Sequence, residues 1–278
     1  MAVVVVTDAS SRLPADLLEK WSIRVVPLHI LLDGRDLRDG VDDIPDEIYR
    51  QHATTAAATP AELADAYQQA LADSGGDGVV AVHLSSALSG TCGAAQRTAA
   101  DLDPNVRVVD SRSAAMGTGF VALAAARAAA DGADLDAVAG AATSAVSRGH
   151  AFVVVHRLDN LRRSGRIGGA KAWLGTALAL KPLLRIDDGK LVLAQRVRTV
   201  THATAAMIDR VCEVVGDAPA ALAVHHVANP DGANEVAAAL AQRLPACEPA
   251  IVSPLGPVLG LHVGPGAVAV CLDLGPGG

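Results

Sequence analysis

Short β-branched runs alternate along this chain with Ala-rich stretches of helical length, the pattern that βαβ units produce. Val3 to Val6 is a compact apolar run that stops at Thr7-Asp8 and predicts a first strand, and Pro14 opens a helix over Ala15 to Lys20. Ile23 to Leu32 predicts a second strand, ended by the turn signal Asp33-Gly34, with Arg35 to Arg38 as its return. From there to Pro60 the chain is polar and broken apart from a short helix candidate at Asp46 to His52. Thr59 then caps a helix over Ala61 to Ala72, with Glu62 in its first turn where the helix dipole favours negative charge, and Gly75-Gly76 ends it. Val79 to Leu84 and Val106 to Val109 predict two more strands. The first feeds Ser85 to Thr91 and a helix from Cys92 to Ala100, and the second ends at Asp110-Ser111. Phe120 to Ala130 predicts a buried helix, and Asp134 to Ser147 another that stops at Arg148-Gly149.

After His150 the composition shifts towards Leu, Arg and Gly, which divides the chain into domains over 1–150 and 151–278. In the second part Ala151 to Val155 predicts a strand, Leu158 to Ile167 a basic helix or helix-turn, and Ala172 to Leu180 an apolar segment. Leu183 to Ile186 and Leu191 to Val197 flank Asp187-Asp188-Gly189-Lys190 as a hairpin with a four-residue turn. Thr199 to Val215 and Ala233 to Leu244 predict helices, Ala220 to His226 and Val268 to Leu272 strands, and Pro257 to Gly266 a Gly/Pro-punctuated loop. The fold class is α/β, in two domains, the first built on a parallel sheet. A chain of 278 residues fits this division, because single cores give way to separate domains beyond about 250 residues.

Composition narrows the function. Hydrophobic residues make up 51% of the chain and aromatics 2%, so the interior is packed from Ala, Val and Leu and offers little for stacking bases. A net charge of -7 argues against a nucleic acid partner. Without a run of about 20 apolar residues the chain is not membrane-embedded, and MAVVVVTDASSRLP reads as a first strand rather than a leader. Cys92, Cys212, Cys247 and Cys271 are scattered, which reads as buried thiols in a reducing cytoplasm. His225-His226 cannot share a face of one strand and no HExxH occurs, so no metal is expected. GxGxxG after the first strand and GxxxxGK[ST] are both missing, which disfavours a nucleotide cofactor.

Candidate chemistry lies in small polar loops at strand ends. Thr7 to Ser11 (with Asp8 and Ser10), Thr54-Thr55, Ser85 to Thr91 (with Ser86, Ser89 and Gly90) and Asp110-Ser111 converge if they share one parallel sheet. Hydroxyls in such turns either cap local backbone or, just before a helix as in SSALSGT, cradle a carboxylate or phosphate. Arg162 and Arg163 read as a solvated face and Lys181 as a surface lysine. Arg166, between Gly165 and an apolar-Gly run, is placed to pair bidentately with an anion. His262 sits in a loop fixed by Gly264 and Gly266, either bonded to backbone or beside the bound anion. Ser86 or Ser89, His262 and Asp8 or Asp110 also supply the residue types of a hydrolase triad, though no GxSxG elbow is present.

Read in order, VVVVTDASSRLP, HLSSALSGTCGAA, VRVVDSRSAAMGTG, LDNLRRSGRIGG, KPLL at Lys181 to Leu184, His226 to Asn229 and GPVLGLHVGPGAVAV resemble the successive motifs of the DegV family over essentially the whole chain. The resemblance implies a Rossmann-like N-terminal domain, a second α/β domain of different topology, and a long-chain fatty acid between them. It implies a carrier with no catalytic residues and no cofactor, whose carboxylate site comprises Thr55, Ser86 or Ser89, Arg166 and His262. Some relatives present the bound acid to a separate ATP-dependent fatty acid kinase. This chain departs from the family pattern at Thr55-Ala56-Ala57-Ala58, where Ser-Gln-Pro is usual after the threonine; Thr54 is the alternative donor after a one-residue shift. Two other readings stay open: a serine-dependent lipid or ester hydrolase, and a regulatory protein with a structural lipid.

Overall fold

The computed structural model describes residues 2–167 and 181–275, so the predicted apolar segment Ala172 to Leu180 lies outside the described residues. The first valine run forms β1 (Val4–Asp8) at the centre of a parallel sheet with β2 (Arg24–Val26), β6 (Val79–His83) and β7 (Val106–Asp110) in the order β2-β1-β6-β7. β1 and β6 read as nearly continuous apolar runs because both faces of the sheet are covered. Val79 and Ala81 pack with Leu63, Tyr67 and Ala70 of α2 (Pro60–Ser74) and with Ala95 of α3 (Thr91–Leu102). Val80 and Val82 point the other way, onto α4 (Met116–Ala130) and α5 (Leu135–Arg148). Thr59 caps α2 as expected and completes a reciprocal capping box with Glu62. The predicted helix at Ala15 to Lys20 is α1 (Ala15–Lys20), with Pro14 as its N-cap rather than its first residue.

Ile23 to Leu32 is not one strand. Pro27 has no N–H for a ladder, and the chain changes sheets there. Arg24–Val26 stays in the parallel sheet, while β3 (Leu28–Leu32) joins an antiparallel sheet with β4 (Arg35–Asp39) and β5 (Thr54–Ala56), in the order β4-β3-β5. The four polar loops therefore do not share one sheet edge: Thr54-Thr55 belongs to this small second sheet. Asp46 to His52, expected as a short helix, contains a 3-10 turn over Asp46–Arg50.

The second domain is a six-stranded sheet of β8 (Gly149–Val154), β9 (Leu183–Asp187), β10 (Lys190–Gln195), β11 (Ala221–His226), β12 (Ile251–Pro254) and β13 (Val268–Asp273). Its order is β10-β9-β8-β13-β11-β12, antiparallel apart from the β11–β12 pair. Alternation assigns its faces. Phe152, Val154, Val268 and Val270 pack under α7 (Val200–Val215) and α8 (Pro230–Arg243), whereas Ala151, Val153, Ala269 and Cys271 face the first domain and share a core with α4. The hairpin turn between β9 and β10 is two residues, not four, because Asp187 and Lys190 already pair. Asp188 and Gly189 take φ +48° and +76°, the left-handed geometry that two-residue hairpin turns require. α6 (Asp159–Ser164) and α9 (Pro257–Val263) complete the described α-helices. The α9 segment was expected to be a loop, yet Pro257 occupies the start of a helix and Gly264 follows its end, the asymmetry that favours proline at the first turn and glycine past the last.

Candidate functional site

Where the C-terminal edge of the parallel sheet meets the inner face of the six-stranded sheet, the structure forms a cavity of ≈ 160 Å³. Leu84 and Leu88, just beyond β6, line one side, which is the edge where open α/β sheets place ligands. Ala151 and Val153 of β8 with their cross-strand partners Cys271 and Ala269 of β13 form the floor. Val258, Leu259 and Val263 of α9 close the roof. The hydroxyl, guanidinium and imidazole groups of the lining come from Thr55, Ser89, Arg166 and His262.

Each of these four is positioned by its local fold. Thr55 pairs with Ile30 in the β3–β5 ladder, and its Oγ1 lies 2.9 Å from His262 Nε2. Thr54 points the other way and is exposed, so the register selects Thr55. His262 lies in the last turn of α9, where burial and then the nearby Arg166 charge push its pKa down to about 4, leaving a neutral imidazole. Arg166 follows Gly165, which ends α6 in a left-handed conformation at φ +70°. The Gly165 and Arg166 N–H groups donate back to the Arg162 and Leu161 carbonyls, and this closing turn directs Arg166 into the cavity mouth. Its Nε donates to the Leu88 carbonyl at 3.3 Å and its Nη1 to the Ser164 carbonyl, while Ile167 beyond it bridges to Leu191. Ser89 lies 3.0 Å from Thr91 Oγ1 and accepts from the Thr91 N–H, at the head of α3 next to Gly90.

Ser86, the alternative to Ser89, is exposed and donates its hydroxyl to Asp110 at 2.5 Å. Asp110 also accepts from the Arg112 N–H, so this pair organises loops outside the cavity. Asp8 is fully buried and accepts from Ser10 N–H and Oγ, from Leu84 N–H and from His83 Nδ1, and His83 Nε2 contacts Tyr67 Oη at 2.7 Å. Asp8 and Ser10 thus tie the ends of β1 and β6 together. Ser85 donates to Gly189 O at 2.8 Å, joining the first domain to the β9–β10 turn. Ser111 meets Thr118 at 2.9 Å and helps seat α4. Gly264 ends α9, and the Gly266 N–H donates to the Val227 carbonyl on the way into β13. Lys181, expected at the surface, donates to the His156 carbonyl at 2.7 Å. Cys92 and Cys271 are buried, but Cys212 and Cys247 are only partly so.

Sequence reading missed several residues that build the site. His83 and Tyr67 looked like a strand end and a helix interior. Asp39 accepts from Arg12 at 3.3 Å and from the Val258 N–H, which anchors the start of α9 to the first domain. Burial pushes the Asp39 carboxyl above its ordinary pKa, against the Arg12 charge and those hydrogen bonds. A charged pair split between the end of β4 and a loop 27 residues earlier leaves no periodic signal. The triad types do not assemble into one either: His262 faces Thr55, Ser86 faces Asp110, Ser89 faces Thr91 and Asp8 faces His83. Among the described residues no cluster of three or more His, Cys, Asp or Glu groups is placed to hold a metal ion, and no helix is long and apolar enough to cross a membrane.

The cavity between the two α/β domains is thus mainly apolar, with hydroxyl, imidazole and guanidinium groups from Thr55, Ser89, His262 and Arg166 in its lining. Residues 2–274 match the family model described as "Uncharacterised protein, DegV family", and the chain belongs to the DegV family. It is 77% identical over 275 residues to a DegV domain-containing protein of Mycobacterium tuberculosis, covering 99% of this chain and 98% of the relative. A DegV domain-containing protein of Streptomyces coelicolor is 40% identical over 276 residues, covering 98% of each. Among solved structures, a DegV family protein from Thermus thermophilus described as fatty acid binding superposes with a TM-score of 0.88 at 32% identity, over 98% of this chain and 99% of that one. DegV from Bacillus subtilis, described as a fatty acid binding protein, gives 0.89 at 28% identity over 98% and 99%.

Proposed function

We propose that this protein is a cytoplasmic carrier that binds a long-chain fatty acid in the cavity, holds its carboxylate among Thr55, Ser89, Arg166 and His262, and presents it to a separate ATP-dependent fatty acid kinase. The observation that carries this reading is a lining that is mostly apolar, with Thr55 in contact with His262 and the Arg166 charge close by. Each methylene removed from water is worth about 0.8 kcal/mol, so the tail supplies the drive. The head sets the orientation, because a carboxylate left dry and unpaired costs more than several methylenes return. A neutral His262 donates from one nitrogen only. If Nε2 carries the proton it competes for Thr55 or turns to the carboxylate, and Arg166 supplies the positive charge. Presentation is supported by a second, outer hollow lined by Thr55, Arg166 and His262 together with His52 and Asn160, which opens the head-group end to a phosphoryl donor held elsewhere.

Native mass spectrometry of freshly purified protein, followed by denaturation and identification of the released molecule, tests this reading. A long-chain fatty acid at one per chain is expected. Apo protein that also takes up no added fatty acid contradicts it.

A further inference from the structure

We infer that Ala151 is the tail gate of the tunnel and sets the longest acyl chain this protein accepts, an inference that rests on the fatty acid reading above. The cavity has two boundaries. At the head-group end, Thr55, Arg166 and His262 separate it from the outer hollow. At the other, Ala151 and Ile186 line both the cavity and a second interdomain cleft of ≈ 600 Å³. A wall shared by two hollows is where one runs into the next. Along the inner face of β8 the side chains shrink towards that cleft, from Val153 to Ala151 to Gly149, in steps of about 6.6 Å for each pair of residues. Across from Ala151 stands Cys271, also small. The lining of the cleft includes the apolar Val121 and Val146 as well as the Arg112–Asp188 ion pair at 2.9 Å. A methyl at position 151 therefore leaves a passage that a bulkier side chain fills, and a long tail continues past it along Gly149.

The test uses the delipidated full chain and a series of saturated acids, myristate, palmitate, stearate and arachidate, with affinity measured by displacement of a fluorescent fatty acid. Wild type is expected to bind arachidate at least as tightly as palmitate. In Ala151→Leu, affinity falls roughly fourfold for each methylene the new side chain displaces, so arachidate suffers most and myristate is unchanged. Ile186→Ala opens the same wall and shifts preference towards the longer acids, which keeps the inference testable if Ala151→Leu melts early. Losses independent of chain length in the first variant, with no shift in the second, overturn the gate and leave the fatty acid reading standing. Wild-type protein that binds none of the acids overturns both.

Discussion

Thr55 and His262 stand 207 residues apart in the chain, and their side chains meet at 2.9 Å. One is delivered by an edge strand of the small antiparallel sheet, the other by the last turn of a helix in the second domain. Both residues line the cavity between the two domains. Thr55→Val keeps the shape and removes the hydroxyl. It is expected to weaken palmitate binding by about 1.5–3 kcal/mol, the worth of a hydrogen bond to a charged group, while leaving palmitate methyl ester much less affected. Calorimetry on both ligands checks this, and equal losses for the two would remove Thr55 from the carboxylate site.

Arg166 supplies charge and Gly165 supplies its direction. Arg166→Ala is predicted to lose affinity for the acid more than for the methyl ester, because the contact is charge-assisted. Gly165→Ala forces a side chain into φ +70°, at a cost of about 1 kcal/mol of stability, and is predicted to reproduce part of the Arg166→Ala binding loss without removing any charge. Thermal melts and binding isotherms on the two variants separate these effects.

The two serine candidates have different surroundings and should behave differently. Ser89→Ala is expected to reduce affinity for palmitate several-fold, since Ser89 lines the cavity. Ser86→Ala is expected to leave affinity unchanged, because its hydroxyl is committed to Asp110 outside the cavity. The opposite ranking would move the head group towards Asp110.

Stability should fall on mild acidification. Burial, then the Arg12 charge, pushes His225 down to about 3, and burial, then Arg166, pushes His262 down to about 4. Both folded values lie below the ordinary 6.5, so as the pH drops through that value the unfolded chain takes up protons that the fold refuses, and stability is lost. His29 runs the other way. Burial lowers its pKa, but hydrogen bonds and charge from Glu62 and Asp36 together raise it above 6.5, so its contribution is full below that pH and is lost as pH rises through the folded value. His262→Gln should therefore flatten the acid limb of a melting-temperature profile in apo protein, and His29→Gln should cost more at low pH than at high. A wild-type profile that rises on acidification below 6.5 would contradict the assignment for His225 and His262.

Asp8 is a structural carboxylate on this account. Asp8→Ala leaves His83, Ser10 and the Leu84 N–H without their buried acceptor, and is predicted to cost about 3–5 kcal/mol of unfolding free energy. Chemical denaturation measures it. A variant of unchanged stability would mean that the Asp8 network is not what joins the ends of β1 and β6.

The sequence was most legible where one element follows one rule. The valine run of β1, the Thr59 cap with Glu62 in the first turn of α2 and the apolar runs of β8 and β13 each carry a local signal that the fold keeps. Very short strands were not legible: Thr54–Ala56 and Ile251–Pro254 hold three and four residues, too few to show a period although Thr, Ile and Val favour strands, and each pairs with a longer neighbour. At Pro27 a single apolar run was split between two sheets, which its hydropathy could not reveal. In the site, Arg166 was marked by the preceding glycine, but the choice between Ser86 and Ser89 needed the position of Asp110, and the Asp39–Arg12 anchor needed the end of β4, the loop before α1 and the start of α9 brought together.

The most direct test of the central claim is a crystal structure of the protein with palmitate. The account predicts a carboxylate within hydrogen-bond distance of Thr55 or Ser89 and within reach of Arg166 and His262, with the tail running along Val153 and Ala151. A fatty acid bound in the reverse sense, its carboxylate at the Ala151 end, or bound outside this cavity altogether, would contradict it.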